Sequence, residues 1–207
     1  MTGKMMGKSC TEFADELAAK VSVPGGGGAA AYVGALAVAL CSMVGNFTTG
    51  KKKYAEYEDD VQRMLAEGEQ VRTRLLELVE EDAAAFFPLS QAYGIPKEDP
   101  TRAEVLEKCT KDALAGPLEM MRQIARGIEL LEEMNIKGSR MLISDVGCGA
   151  ACAAAAMRAA AMNVFINTKS LQDRAFAQAV EGEADELLAY VPRAEAIADE
   201  VMAGIRG

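Results

Sequence analysis

Two long runs of small, uncharged residues constrain the fold of this chain more than any other feature of its sequence. Residues 21–50 contain no charged side chain, and residues 146–161 are dominated by alanine and glycine. Alanine is the strongest helix former, and small side chains let neighbouring helix backbones approach closely. The two runs therefore predict two small-residue core helices, the first over residues 29–47.

The first run is also long enough to cross a bilayer, so a membrane span is the competing interpretation. Four consecutive glycines lie near its start, polar residues lie near its end, and alanine and glycine make it only weakly lipophilic. No second span looks comparable in the sequence. We therefore expect a buried core helix and no membrane association.

The rest of the chain supplies long amphipathic helices that can pack around such a core. Over residues 58–93 the apolar positions step by three and four, which is the period of one helical face. A further helix is expected from residue 101 to 134, interrupted near Gly116 and Pro117, and a last helix bends at Pro192. Strand formers are scarce, and aromatic residues make up only 5% of the chain.

These patterns predict an all-α fold, a single-domain helical bundle over residues 1–207 with two small-residue core helices and long amphipathic helices. Exposed apolar stripes on long helices also favour a homodimer. The net charge of −9 argues against nucleic-acid binding. Five cysteines without a CxxC pair, and no signal peptide, predict a cytoplasmic protein.

The absence of histidine narrows the chemistry that the chain can perform. No catalytic triad or imidazole proton shuttle is available. Cys148 and Cys152 have no second pair of thiols, so we expect no metal site. Any acid or base must therefore come from carboxylates or lysines.

Asp82 is the most informative candidate for that chemistry. It falls on the apolar face of its helix, four residues after Leu78 and four before Phe86. An unpaired charge there is costly, so the carboxylate must find a partner or change its pKa. One interpretation is a structural Asp that caps a loop or pairs with a base. The other is a tuned acid or base, or a substrate anchor.

Other polar residues accompany the small-residue helices. Ser144 and Asp145 precede the second helix, where either is expected to serve as its N-cap. Asn163 and Asn167 share a helical face among apolar neighbours and must bond either to backbone or to a ligand. Further candidates for ligand contact are the glycine loop with Gly25, Gly26 and Gly27, and the basic residues Lys51, Lys52, Lys53, Lys97 and Arg158.

Taken in order, these segments resemble the formimino-tetrahydrofolate cyclodeaminase family, which also contains stand-alone methenyl-tetrahydrofolate cyclohydrolases. The resemblance rests on residues 23–31, 50–54, 82–86, 95–97, 144–147 and 163–167. It implies an all-α dimer, a folate substrate that often carries a polyglutamate tail, and no metal or redox cofactor. Gly28 departs from the pattern, which is expected to place a small polar residue there.

The resemblance also implies roles for the candidates. Asp145 would stabilise the cationic one-carbon bridge or act as base, with Asp82 as the second acid or base. Asn163 and Asn167 would position the substrate, the glycine loop would approach it, and Lys51, Lys52 and Lys53 would hold glutamate carboxylates. Two alternatives stay open: a non-catalytic module that binds a folate-like anion, and a purely structural bundle.

Overall fold

The computed structural model describes residues 4–207, which form seven α-helices and no strand. The predicted all-α fold is therefore confirmed, and residues 1–3 of the predicted domain lie outside the described range. Short 3-10 turns occupy Met5–Gly7, Lys52–Tyr57 and Arg140–Leu142. The helices are α1 Cys10–Ala18, α2 Gly26–Thr48, α3 Glu58–Ala92, α4 Arg102–Lys137, α5 Ile143–Thr168, α6 Arg174–Leu188 and α7 Tyr190–Arg206.

Four long helices form the bundle. α2 packs against both α3 and α5, while α4 closes the square by packing against α3 and α5. α7 covers α5 and part of α4, and α6 packs more lightly on α5. The two small-residue helices, α2 and α5, are thus neighbours, and they run in opposite directions.

Close contact between these helices explains their composition. A Cβ at Gly149 on α5 would lie 3.0 Å from the backbone oxygen of Ala37 on α2. A Cβ at Gly127 on α4 would lie 2.8 Å from a methyl group of Val38. Larger side chains at these positions would push the helices apart and open the core.

Prolines interrupt the helices less than the sequence predicts. α4 continues without a break through Pro117, between the buried Leu114 and Leu118, so the expected interruption there is wrong. Burial on both sides of the proline outweighs the lost backbone hydrogen bond. The final helical segment is divided at Ala189 rather than bent at Pro192, which lies in the first turn of α7. Backbone N–H groups in a first turn have no intrahelical partner to lose.

Two segments, Gly26–Thr48 and Arg140–Thr168, are long and apolar enough to span a membrane by length and composition. The second was not expected from the sequence. About half of each apolar stretch is buried inside the bundle, 56% and 50% respectively. Core helices of proteins that never enter a membrane can share this length and composition, and the burial matches that case.

Unburied apolar residues on one side of these two helices make up a surface, here called the α2/α5 face. Leu36 on α2 is 44% exposed and Met162 on α5 is 68% exposed. The two helices meet beside this surface, where Gly149 packs against Leu40. The face comprises Val33, Leu36, Leu40, Met43 and Phe47 on α2 and Cys148, Ala151, Ala155, Met162 and Ile166 on α5.

Candidate functional site

A cavity of about 250 Å³ opens where the first turn of α2 meets the last turns of α5. All four helices of the bundle contribute to its wall, together with the loop that precedes α2. We call this part of the molecule the cavity end. The lining residues are Ser22, Val23, Gly25, Gly26, Gly27, Asp82, Phe86, Ala113, Pro117, Asn163, Ile166 and Asn167.

Asp82 approaches the start of α2 more closely than a side chain there would permit. A Cβ at Gly27 would lie 2.5 Å from either carboxylate oxygen of Asp82. Gly25 is the N-cap of α2 and offers no side chain to the free N–H groups of the first turn. The carboxylate therefore occupies the place of a helix cap, supplied from α3, and the loop-capping interpretation of Asp82 is correct in this respect.

The cap does not make Asp82 an ordinary carboxylate. Burial raises the pKa of its carboxyl to about 6, and the nearby Gly28 backbone N–H offsets only part of that rise. Within residues 4–207 no lysine or arginine pairs with Asp82, and no basic side chain lines the cavity. Its neighbour Glu81, by contrast, pairs with Arg74 at the surface. Asp82 is thus a half-buried carboxylate that faces a cavity without a cation.

The two asparagines stand on the opposite wall. Asn163 Nδ2 donates to the Ala159 carbonyl at 2.8 Å, and Asn167 Nδ2 donates to the Asn163 carbonyl at 3.0 Å. The backbone-bonding interpretation is therefore correct for both donors. In the described part of the chain no group donates to either amide oxygen, which leaves two acceptors beside the cavity.

Five further candidates lie at the far end of the same helices. Lys51, Lys52 and Lys53 follow the last turn of α2, and that helix of 23 residues is about 35 Å long. Ser144 and Asp145 lie in the first turn of α5, at the same end. We call this region the lysine end.

Backbone and side chains hold the lysine end together. The Ser139 N–H donates to Thr48 Oγ1 at 2.8 Å, and the Arg140 N–H donates to Tyr54 Oη at 3.0 Å. Lys51 Nζ lies 3.5 Å from Ser139 Oγ. These bonds tie the start of α5 to the end of α2.

The comparisons with known proteins agree with this architecture. The family model described as Formiminotransferase-cyclodeaminase matches residues 9–186, most of the chain. This chain belongs to the formiminotransferase-cyclodeaminase family. The resemblance drawn from the sequence is thereby confirmed.

The proteins to which this chain is similar differ in length. A methenyltetrahydrofolate cyclohydrolase from Methylorubrum extorquens is 42% identical over 181 residues, covering 86% of this chain and 87% of the relative. A mouse formimidoyltransferase-cyclodeaminase is 30% identical over 188 residues, and the match covers 89% of this chain but only 35% of the mouse protein. The crystal structure of a formiminotetrahydrofolate cyclodeaminase from Thermotoga maritima superposes with a TM-score of 0.88 at 30% identity, covering 97% and 98% of the two chains.

Within one chain of this family member, the expected pair of aspartates does not meet. Eighteen residues of α5 separate Asp145 from Asn163, about 27 Å along the helix. Neither Ser144 nor Asp145 is the N-cap of α5, because that position belongs to Leu142, which forms no side-chain cap. The N-cap interpretation is therefore wrong. The helix begins earlier because the 3-10 turn at Arg140–Leu142 leads directly into it.

Two basic candidates also lie away from the cavity. Lys97 is exposed in the loop between α3 and α4, and Arg158 pairs with Glu195 on α7.

Sequence reasoning did not single out Phe86, Ala113, Pro117 and Ile166 as site residues. The spacing of Phe86 could have indicated it, because it lies one turn after Asp82 on the same face of α3. No described group of three Asp, Glu or Cys residues is arranged to hold a metal ion.

Proposed function

We propose that this chain hydrolyses 5,10-methenyl-tetrahydrofolate to 10-formyl-tetrahydrofolate. The observation that carries the proposal is Asp82, a half-buried carboxylate without a cationic partner at the wall of the cavity. The methenyl bridge is a cation flanked by two nitrogens, so it can provide the missing charge. The 42% identical cyclohydrolase supports the same reaction.

The cavity offers the negative charge and the proton acceptor that this hydrolysis needs. Asp82 stabilises the cationic bridge and accepts a proton as water attacks the bridge carbon. The tetrahedral carbon then opens as N5 takes up a proton and the C–N5 bond breaks, which leaves the formyl group on N10. Overall, one water is consumed and one proton is released. With its pKa raised to about 6, Asp82 is mostly ionised at neutral pH yet basic enough to take a proton.

The polar wall orients the substrate. The amide oxygens of Asn163 and Asn167 accept hydrogen bonds from the N–H groups of the pterin ring. Gly26 and Gly27 let the substrate approach the start of α2, because neither carries a side chain. The chemistry uses carboxylate, amide and water, so we propose that it requires no metal or redox cofactor, and dialysis against EDTA should leave activity unchanged.

A second reaction, cyclisation of 5-formimino-tetrahydrofolate, is favoured by the similarity to the Thermotoga maritima cyclodeaminase. In this reaction N10 attacks the formimino carbon, the carbon–nitrogen bond to the terminal nitrogen breaks, and ammonia leaves, as in a lyase. The tetrahedral carbon again lies between nitrogens, so Asp82 serves both reactions.

We also propose that the chain works in the cytoplasm as a homodimer joined through the α2/α5 face. This face places apolar residues such as Phe47, 56% exposed, and Ile166, 65% exposed, beside small residues that allow close packing. A contiguous apolar surface of this kind marks a protein interface. Because the same surface meets itself, a two-fold dimer is the simplest closed assembly.

Absorbance of the methenyl compound tests the activity directly. One reaction starts from methenyl-tetrahydrofolate and follows the loss of signal; the other starts from 5-formimino-tetrahydrofolate and follows its gain with ammonia release. Each is compared with an enzyme-free blank. We expect acceleration of the first reaction, and acceleration of the second would add the cyclodeaminase activity. Folded protein that exceeds neither blank would favour a folate-binding module instead.

Sedimentation or light scattering tests the dimer. The wild type is expected at twice the chain mass, and Leu36→Glu, in the middle of the α2/α5 face, at the monomer mass. The matched control is Ile205→Glu, which changes an exposed apolar residue on α7, outside the face. A monomeric wild type, or a dimer that Leu36→Glu leaves intact, would contradict the proposed interface.

A further inference from the structure

We infer that each active site is shared between two protomers: the cavity of one chain faces Asp145 and Lys51–Lys53 of its partner. The inference rests on the proposed function and on the α2/α5 dimer. The lysine end thereby takes part in an active site, although within one chain the lysine end and the cavity end lie about 35 Å apart.

The cavity is incomplete within one chain. Among residues 4–207, its lining contains a single ionisable group, Asp82, and no lysine or arginine. A folate carries glutamate carboxylates at the end of the molecule remote from its pterin, and these need cations. Water attack followed by C–N cleavage also needs a proton donor after the proton acceptor. Both requirements exceed what the cavity end supplies.

The lysine end carries the positive charge that the cavity end lacks. Lys51, Lys52 and Lys53 are exposed, and none of them forms an ion pair in the described part of the chain. Most other lysines and arginines of the bundle pair with a carboxylate, as Lys137 does with Asp60. In a chain of net charge −9, these three adjacent unpaired lysines are a local concentration of positive charge. Asp145 adds a second carboxylate at the same end.

Symmetry decides whether these two ends meet. When two copies pack through one face, the two-fold axis lies in the plane of contact. If the axis ran parallel to α2 and α5, the lysine ends of both copies would lie side by side, and so would the two cavity ends. If it crosses the helices, each lysine end meets the partner's cavity end. Like charges across an interface are unfavourable, so the crossing axis is preferred.

The positions of the face residues along α2 and α5 fit this arrangement. Its middle lies near Leu36 to Leu40 on α2 and near Ala151 to Ala155 on α5. Gly26 and Lys51 flank that middle at similar distances along α2, as Asn163 and Asp145 do along α5. Rotation about an axis through the middle therefore brings the lysine end of one copy over the cavity of the other. The small residues Ala151 and Ala155 permit close approach at the axis.

Complementation between two inactive variants tests the shared site. Asp82→Asn and Asp145→Asn are produced with different affinity tags, and the heterodimer is isolated by two successive purifications. In a shared site the heterodimer contains one doubly altered site and one intact site, so we expect about half of the wild-type activity. The same heterodimer has no intact site if each chain works alone.

A matched pair controls for non-specific rescue. Asp82→Asn combined with Asn163→Ala alters two residues of the same cavity, so neither site of that heterodimer is intact and activity stays at the level of the single variants. If Asp145→Asn folds poorly, a variant with Lys51, Lys52 and Lys53 all changed to Gln replaces it, and the KM for a polyglutamyl substrate is the readout. With Asp82→Asn as its partner chain, the wild-type KM is expected to return.

The outcomes separate this inference from the proposed function. A wild type without activity would refute the proposed function. An active wild type whose inactive variants fail to complement would refute the shared site alone. So would full activity of both lysine-end variants, since that end would then have no part in the site.

Discussion

The two ends of the α2–α5 helix pair use the same small-residue helices but handle their polar groups in opposite ways. At the lysine end the buried Thr48 hydroxyl and the Tyr54 hydroxyl accept hydrogen bonds from the backbone N–H groups of Ser139 and Arg140. At the cavity end, among the residues that the structure describes, Asp82 has no cationic partner and the amide oxygens of Asn163 and Asn167 have no donor. The bonds to Thr48 and Tyr54 secure the fold at one end, and the open acceptors of Asp82, Asn163 and Asn167 at the other are available to a ligand.

The largest effect on catalysis is expected from changing Asp82 at the cavity end. Asp82→Asn should lower kcat at least about 100-fold, because acid–base groups contribute at least that much. Its raised pKa also means that the folded state binds the carboxyl proton more tightly than the unfolded state does. The charged carboxylate therefore costs stability above pH 6, and the variant should be more stable than the wild type by about 2 kcal/mol at pH 8, but by little at pH 4.

Kinetic assays and thermal unfolding at both pH values measure these effects, with Glu81→Gln as the control because that neighbour pairs with Arg74 at the surface. A variant less stable than the wild type at pH 8 would show that Asp82 serves mainly as a cap of α2.

A smaller loss is expected from Gly27→Ala. The added methyl group would lie 2.5 Å from the Asp82 carboxylate and must displace it, so we expect kcat/KM to fall about 30-fold through misplacement of the reacting group. Gly182→Ala on α6 is the control, since a Cβ there meets nothing within 4 Å. The control should gain about 1 kcal/mol of stability from helix propensity and keep its activity. Equal kinetics in the two variants would show that Asp82 is not held in place by Gly27.

At the lysine end, the buried Thr48 hydroxyl should affect stability rather than chemistry. Thr48→Val keeps the shape of the side chain but removes the acceptor of the Ser139 N–H, leaving a buried donor unpaired. The free energy of unfolding should fall by about 2 kcal/mol, and kcat by less than about threefold. Chemical denaturation and steady-state kinetics measure the two effects. A large loss of kcat without loss of stability would show that the Thr48 hydroxyl serves catalysis rather than the fold.

The smallest effect is expected from the three lysines. Changing Lys51, Lys52 and Lys53 together to Gln should raise KM for a polyglutamyl folate about tenfold, because charged pairs with carboxylates contribute roughly 1 to 2 kcal/mol. The free energy of unfolding should hardly change, since the three side chains are exposed and unpaired. Raised salt should weaken substrate binding in the wild type more than in the variant. Equal KM values would exclude the lysines from substrate binding.

Much of this architecture follows from the sequence. The three-and-four spacing of apolar residues predicts α3, and the same spacing places Asp82 on its buried face. The alanine-rich runs predict α2 and α5. The continuity of α4 through Pro117 could not be predicted, because tertiary burial overrides the local preference of proline.

The distribution of the site residues was harder to predict. Motifs in sequence order do not reveal which helix ends coincide in space. Because α2 and α5 are antiparallel, the glycines at the start of α2 meet Asn163 near the end of α5, while Asp145 and Lys51 share the opposite end. The expected cooperation of Asp145 with Asp82 therefore fails within one chain, and the shared site that we propose would restore it through a second copy.

The pH dependence of kcat/KM tests most directly the claim that Asp82 is the ionised group facing the cationic substrate. For the wild type, after subtraction of the enzyme-free rate, kcat/KM should fall as the pH drops through about 6, where the Asp82 carboxyl takes up a proton. The residual activity of Asp82→Asn should lack this limb. A wild-type limb near pH 4, or a limb near pH 6 that persists in the variant, would contradict the account.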